Sequence, residues 1–231
     1  MADVRARERT TRRAASKNPD KAGPRTPKGE QTRAQLVAAA KTVFERDGFL
    51  GARIVDIAET ASLATGSFYH YFDSKEQIFR EVAQLQEQRL TAPPESAATG
   101  RGNGRTAWER IRLANRHYLV RYEKEAALMG VIEQVSRYDN EVNGARMATM
   151  KHFVERAARS IRQLQAAGLA DTRLNASMAA DALGAMVARF AEQWLVQGYR
   201  TYDFDDAVEQ LTRLWGNALG LVPEKVGEPN P

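Results

Sequence analysis

The chain has 231 residues, 43% of them hydrophobic, which is enough to bury a sizeable core in one large or two small domains. It has no cysteine, which excludes a disulfide framework, a thiol nucleophile and a cysteine-ligated metal. No run of about 18 apolar residues is present and the N-terminus is charged, so we expect a cytoplasmic protein with no membrane partner.

The net charge of +5 is concentrated near the N-terminus, because residues 1–29 hold nine Arg or Lys residues and only three acidic residues. With few apolar residues and with Pro24 and Pro27 near its end, this segment is expected to be a disordered basic tail. It is either an arm that contacts the phosphates of flanking DNA or a solubilising extension without a partner. Residues 223–231 are expected to form a flexible C-terminal tail.

The first predicted helices are short and closely spaced. The opening helix ends at Gly48, and its apolar stripe consists of Leu36, Ala39, Ala40, Val43 and Phe44. The next helix has its apolar face at i, i+3, i+4 and i+7, formed by Ile54, Ile57, Ala58 and Ala61. After a tight turn, Phe68 and Phe72 supply the inward face of a third helix. Ser74 and Gln77 have capping-box spacing, so a longer helix begins there. The pattern predicts a helix-turn-helix that lies on DNA.

This segment resembles the signature of the tetracycline-repressor (TetR) family of bacterial regulators. The matching residues are Ile57, Ala58, Ala61, Gly66, Ser67, Tyr69, Tyr71, Phe72, Ser74, Lys75 and Glu76. The likeness is specific over about residues 30–79 and much vaguer after them. It implies an all-α protein with a three-helix helix-turn-helix DNA-binding domain at residues 30–79 and a helical effector-binding and dimerisation domain at residues 80–222.

Two residues depart from the family pattern. Ser62 stands where the family usually has the turn glycine, so either Ser62 accepts a left-handed conformation or the turn is rebuilt. Ala64 stands where the family usually has a serine that caps the recognition helix, so one backbone donor loses its usual local partner. Neither change removes a group that faces DNA.

Seven residues are candidates for DNA contact: Arg53, Thr65, Gly66, Ser67, Tyr69, His70 and Lys75. Gly66 lets the backbone approach the duplex, and Ser67, His70 and Arg53 have polar or charged groups suited to phosphate oxygens. The resemblance implies that Tyr69 and Lys75 are phosphate anchors. Thr65 is predicted to read a base directly, because its methyl group suits a thymine methyl. For each residue the alternative is an exposed helix position without a contact.

The rest of the chain is helical in period after a connection at residues 91–104 that is rich in Pro, Gly, Ser and Ala. Helices are predicted near residues 106–124, 126–138, 142–167, 175–197 and 205–219. Gly168 and Gly198 are expected stops, and Asn175 and Asp203 are expected N-caps. The last two helices each carry more apolar surface than one partner buries. They therefore form either a two-fold four-helix homodimer interface or a core within one chain.

An effector site is expected among the helices of the C-terminal domain. Asn115 lies within an aromatic stripe that should be buried, and a buried amide needs a partner. That partner is either inside the protein or on a small-molecule effector. Flexible thioethers suit an adaptable apolar pocket and also an ordinary core. The predicted ligand-binding residues are Asn115, Tyr118, Met129, Met147, Met150, Met186 and Phe190.

No enzyme active site, metal site or cofactor is predicted. His152 and Glu155 have a spacing that a metal site uses, but His152 lies opposite the apolar stripe of its helix and is expected in solvent. Asp203, Asp205 and Asp206 lie where a helix begins, which favours negative charge. The preferred function is a repressor that a largely apolar effector releases from a double-stranded DNA operator. The alternatives are an effector-independent regulator or architectural factor of the same fold, and an all-α enzyme or carrier with a vestigial helix-turn-helix.

Overall fold

A computed structural model describes residues 26–92 and 105–221, and this part of the chain is entirely helical, as the periodicity predicts. It contains nine α-helices and one π-helical turn. The helices are α1 (Pro27–Gly51), α2 (Ile54–Thr60), α3 (Thr65–Phe68), α4 (Lys75–Thr91), α5 (Ala107–Lys124), α6 (Ala126–Ser136), α7 (Asn140–Ala166), α8 (Ala176–Ala191) and α9 (Phe204–Ala218), and the π-helical turn is Glu192–Val196.

Helix α1 begins earlier than the sequence analysis predicts. Its first residue is Pro27, and the hydroxyl of Thr26 accepts a hydrogen bond from the backbone N–H of Gly29 at 3.2 Å. Proline suits the first helical position because its missing N–H would have no helical partner there. The helix therefore includes the last three residues of the segment that the sequence analysis assigned to the tail. The rest of that tail, the connection at residues 93–104 and the C-terminal tail lie outside the described residues.

The predicted helix ends are largely confirmed. Gly168 and Gly198 have left-handed backbone conformations, with φ of +70° and +61°. Gly48 has φ of +68° but kinks α1, which continues to Gly51 and does not end at Gly48 as predicted. The side chains of Asn175, Asp203 and Ser74 accept hydrogen bonds from backbone N–H groups of the helices that they cap. Gln77, however, accepts from the N–H of Asp73 and not from that of Ser74, so the predicted capping box is shifted by one residue on one side.

Helix α4 joins the two halves of the described structure. Near its beginning, Ile78 and Phe79 are buried, and the ring of Phe79 lies 4.9 Å from that of Phe44 and 5.0 Å from that of Phe49. Near its end, α4 buries Leu90 and also the polar residues Gln86 and Glu87. One helix thus packs into both halves of a continuous hydrophobic core.

Helices α8 and α9 differ from their prediction in one respect. The predicted helix at 175–197 is α-helical only to Ala191 and then continues as the π-helical turn. Small residues let α8 approach α7 closely, because a Cβ at Gly184 would lie 3.0 Å from the Phe153 ring. Met178 on α8 and Leu214 on α9 remain exposed in the single chain. In the described residues, no helix has the length and apolar character needed to cross a membrane.

The contact between α5 and α9 depends on one glycine. A Cβ at Gly216 of α9 would overlap the indole ring of Trp108 on α5, whereas a Cβ at Gly144 of α7 would meet nothing within 4 Å. Core positions with no free volume tolerate added carbon poorly. Helix α9 can therefore reach α5 only because residue 216 has no side chain.

We expect Gly216→Ala to lower the free energy of unfolding by about 1–3 kcal/mol, because the Trp108 ring must move. The matched control is Gly144→Ala, which adds the same methyl group to an open helical position and is expected to raise stability by about 0.5–1 kcal/mol. Urea denaturation followed by circular dichroism measures both. Equal effects of the two substitutions would contradict the close contact at Gly216.

Candidate DNA-binding surface and effector region

The turn between α2 and α3 is closed by backbone hydrogen bonds around Ser62. The N–H of Ser62 donates to the carbonyl of Glu59, and the N–H of Leu63 donates to the carbonyl of Ala58, both at 2.9 Å. This is a Schellman motif, which needs a left-handed residue at the position of Ser62. Ser62 indeed has φ of +56°, so it accepts the conformation that glycine usually adopts. The first of the two alternatives for this turn is confirmed.

The recognition helix α3 begins without a side-chain cap. Ala64 has an extended backbone and makes no side-chain hydrogen bond, as its methyl group predicts. Phe68 and Phe72 are completely buried and fix the orientation of this segment. The candidate DNA contacts consequently point outward: Tyr69 is 50% exposed, Gly66 and His70 are exposed, and Thr65 and Ser67 are partly exposed. This arrangement brings five of the seven predicted contacts to one surface.

Lys75 makes contacts within the protein that the sequence analysis does not predict. Its Nζ donates to the carbonyl oxygens of Phe49 at 2.8 Å and Ala52 at 2.9 Å, and it lies 4.8 Å from the centre of the Phe49 ring. A cation at these carbonyls stabilises the end of α1, where the helix leaves acceptors without helical partners. The first turn of α4 is thereby fastened to the end of α1.

Arg53, at the N-cap of α2, is held by an acidic neighbour. Its guanidinium donates to both carboxylate oxygens of Asp56, at 2.8 and 2.7 Å. The hydrogen bonds from Arg53 lower the pKa of Asp56, which therefore stays ionised at neutral pH. Arg46 and Asp47 form a second pair of the same kind nearby. In the free protein the charge of Arg53 is therefore balanced within the chain.

Asn115 is buried, as the aromatic stripe predicts, and it has a partner inside the protein. Its Nδ2 donates to Oγ1 of Thr212 on α9 at 3.4 Å, and the Thr212 hydroxyl donates to the carbonyl of Val208 at 2.7 Å. The first alternative for this amide, an internal partner, thus agrees with the structure. Asn115 faces α9, whereas the other predicted ligand contacts lie elsewhere.

The remaining predicted ligand contacts differ in how far they are buried. Tyr118 and Tyr122 pack ring to ring with centroids 5.8 Å apart, and Met129 is buried. Met150, Met186 and Phe190 are partly buried. Met147, in contrast, is 55% exposed, because α7 turns this position towards solvent. The structure brings the tyrosines together but does not place Met147 in a core.

The sequence analysis missed a set of charged residues in the same region. Glu87 on α4 and Glu192 at the start of the π-helical turn are buried, and Glu133 on α6 and Arg146 on α7 are partly buried. Nη1 of Arg146 lies 2.6 Å from Oε2 of Glu133 and 2.7 Å from Oγ of Ser136. The sequence does indicate that Glu87 is buried, because its spacing from Phe79, Ala83 and Leu90 puts it on the apolar face of α4.

The residues weighed for catalysis or metal binding have ordinary roles. His152 has an 82% exposed side chain. Asp203 caps α9, and its Oδ1 accepts from the N–H of Asp206 at 2.9 Å. Among the described residues, no group of three or more His, Asp or Glu side chains has the geometry of a metal site.

Comparison with known proteins agrees with this arrangement. Residues 36–82 match the model of the bacterial regulatory proteins of the tetR family. The transcriptional repressor NicS of Pseudomonas putida is 38% identical over 64 residues, which are 28% of this chain and 30% of NicS. The repressor KstR2 of Mycolicibacterium smegmatis is 42% identical over 50 residues, which are 22% of this chain and 24% of KstR2. The chain thus spans less than a third of the length of either relative.

Solved structures show the same fold over most of the chain. FadR from Bacillus subtilis, solved in complex with stearoyl-CoA, has a TM-score of 0.65 at 17% identity and covers 79% of this chain and 96% of FadR. A TetR-family transcriptional regulator from Mesorhizobium loti has a TM-score of 0.69 at 17% identity and covers 82% of this chain and 96% of its own. All four of these proteins are described as transcriptional regulators or repressors and not as enzymes. Residues 36–82 are thus similar to the tetR family of bacterial regulatory proteins, and solved structures described as transcriptional regulators share the fold of most of the chain.

Proposed function

We propose that this protein is a cytoplasmic transcriptional repressor that binds a double-stranded DNA operator as a homodimer and is released by a small effector. The observation that carries the proposal is the recognition helix, whose buried Phe68 and Phe72 leave Tyr69 and His70 outward on the motif matched to the tetR family. The DNA-binding domain is assigned to residues 30–79 and the effector-binding and dimerisation domain to residues 80–222.

Two-fold symmetry determines how such a dimer would read DNA. Each protomer would place one recognition helix in a major groove, with half-site centres one helical turn or a multiple of it apart. We assign the dimer interface to α8 and α9, because the exposed Met178 and Leu214 extend the apolar surface of these helices beyond the single-chain core. Homodimers bury such surfaces between copies of the same patch.

The effector is placed among α4, α5, α6, α7 and α8, around Tyr118 and Met129. FadR, which has this fold, was solved with stearoyl-CoA, and this supports an effector with a largely apolar body. An effector shifts the equilibrium only by its differential affinity for the DNA-binding and released states. It must therefore weaken DNA binding by the same factor by which DNA weakens effector binding.

Footprinting of the full-length protein on the DNA around its own gene tests the core of this proposal. We expect protection of a two-fold symmetric sequence with half-sites separated by about one or two helical turns. A footprint that no small molecule weakens would favour an effector-independent regulator or architectural factor. Absence of any sequence-specific footprint would overturn the assignment as a DNA-binding regulator.

Asp56→Asn is expected to strengthen DNA binding several-fold, at about the scale of one exposed ion pair. The substitution removes a negative charge from the DNA-binding domain and frees the Arg53 guanidinium for a phosphate oxygen. Fluorescence anisotropy on an operator fragment at two salt concentrations measures the change. Asp171→Asn is the matched control, because Asp171 pairs in the same bidentate manner with Arg173 near α8, away from α2. Unchanged or weaker binding by Asp56→Asn would remove Arg53 from the DNA contacts.

Lys75→Met separates a structural role from a DNA contact. The carbonyls of Phe49 and Ala52 lose a donor, so the free energy of unfolding is expected to fall by about 1–2 kcal/mol. If Lys75 also anchors a phosphate, the slope of log affinity against log salt falls by about one. We expect both effects.

Tyr69→Phe provides the comparison for Lys75→Met. It removes a hydroxyl from a half-exposed side chain and carries no charge, so DNA affinity should fall while the salt slope stays constant. Thr65 substitutions should instead alter the preferred operator sequence. A Lys75→Met protein that is destabilised but keeps the wild-type salt slope would show that Lys75 acts on the fold alone.

A further inference from the structure

Polar groups from four helices and the π-helical turn converge in the core of the C-terminal domain. Glu87 of α4 is only 7% exposed, and its Oε1 lies 3.3 Å from Nε of Arg146 on α7. That oxygen accepts no hydrogen bond of normal geometry. Arg146 directs its Nη1 to Glu133 and Ser136 instead. Glu87 is therefore buried beside the Arg146 guanidinium, which already donates hydrogen bonds to Glu133 and Ser136.

Tyr118 and Tyr122 bring two unused donors to the same place. Tyr122 is only 4% exposed, and neither phenol hydroxyl donates a hydrogen bond to any residue in the described part of the chain. Burial raises the pKa of both phenols, and the carboxylates of Glu192 and Glu87 raise it further. Neither hydroxyl is a fully enclosed atom without a partner, so both remain able to donate to a ligand that reaches them.

Most of the positive charge that pairs with the carboxylates of this region lies at its outer edge. Glu87, Glu133 and Glu192 face the two tyrosines together with a single partly buried cation, Arg146. Arg137 reaches Glu133 at 3.4 Å and Arg189 reaches Glu192 at 2.7 Å, but both are largely exposed arginines at the outer edge. Burial raises the pKa of Glu87 in spite of Arg146. A positive charge placed between Glu87 and the tyrosines would be stabilised by the carboxylates and the aromatic faces.

We propose that this region, lined by Glu87, Tyr118, Tyr122 and Glu192, binds an organic cation with an apolar body, either a protonated amine or a quaternary ammonium ion. The cationic head would lie against Glu87 and the tyrosine rings, and the apolar body would extend towards Met129 and Met150. An anionic head is disfavoured because carboxylates outnumber the interior guanidinium. The inference specifies the chemical class of the proposed effector and rests on the proposed function only for its effect on DNA.

The position of Glu87 links this ligand to the DNA-binding domain. Glu87 and Lys75 lie on the same helix, α4, and Lys75 fastens that helix to the end of α1. A cation bound at Glu87 competes with Arg146, and so with one of the contacts that hold α4 to α7. The other polar contacts between these helices include Arg80 with Asp139 at 3.0 Å, Arg80 with Glu141 at 2.8 Å and Arg156 with the Thr91 carbonyl at 2.8 Å, and these would then hold α4 to α7.

The test uses probes that share a chain length and differ only in the charge of the head group. They are octylamine, which is protonated at neutral pH, octyltrimethylammonium, octanoate and octanol. We expect both cations to raise the melting temperature of the full-length protein and to bind more tightly than octanol by about tenfold, whereas octanoate binds more weakly than octanol. Isothermal titration calorimetry gives the affinities.

Two variants locate the site. Glu87→Gln keeps the shape of the side chain and removes its charge, and it should weaken both cations by about tenfold without changing octanol binding. Tyr122→Phe keeps the ring and removes the hydroxyl, and it should weaken octylamine more than octyltrimethylammonium, which has no N–H to donate. Glu123→Gln, on the exposed side of α5 next to Tyr122, is the matched control and should bind all four probes as the wild type does.

The outcomes separate this inference from the proposed function. Failure of both cations to bind, tighter binding of octanoate, or equal cation affinity in wild type and Glu87→Gln would each overturn the cation site, even if the protein binds its operator normally. Cation binding that depends on Glu87 but leaves the operator footprint unchanged would confirm the site and contradict only its role in release. Circular dichroism of both variants verifies that altered binding does not reflect unfolding.

Discussion

The position of α4 is the constraint on which the rest of this structure depends. Its first turns pack against α1 through the rings of Phe44, Phe49 and Phe79, and the helix also packs against α5 and α7. A helix transmits displacement along its axis because its backbone hydrogen bonds keep it stiff. Together with the packing of α1 against α6, where Lys41 pairs with Glu125 at 2.6 Å, α4 sets the position of the DNA-binding surface relative to the C-terminal helices.

Polar contacts hold α4 in place near both of its ends, and these contacts differ in strength. At the beginning, Lys75 donates to two carbonyls that have no other partner in the helix, so losing it leaves acceptors exposed. Further along, Glu87 has only an ion pair with Arg146, which lacks hydrogen-bond geometry. The weaker contact lies in the C-terminal domain. A ligand bound there would therefore shift α4 relative to α7 while the contacts within the DNA-binding domain stay intact.

The sequence predicts helix boundaries and the recognition motif well because these depend on local chemistry. Asn175 and Asp203 cap the helices that follow them, and Ser62 adopts the left-handed conformation that the turn requires. The charged interior was not predicted, because the sequence analysis weighed only the apolar residues of α4 and did not use the position of Glu87 on the same face. The π-helical turn at 192–196 was also missed, since its extra residue per turn depends on packing against other helices.

Two buried polar sites show why burial alone does not identify a binding site. The amide of Asn115 reaches Thr212 across 97 residues of sequence, and the Thr212 hydroxyl donates in turn to the carbonyl of Val208, so the arrangement holds α5 against α9. At Glu87 the chain leaves a buried carboxylate oxygen without a hydrogen bond, and the hydroxyl of the nearby Tyr122 donates to no described residue. Unmade hydrogen bonds in a folded interior cost stability, and a ligand that makes them recovers it. The contrast therefore assigns a structural role to Asn115 and a binding role to Glu87 and Tyr122.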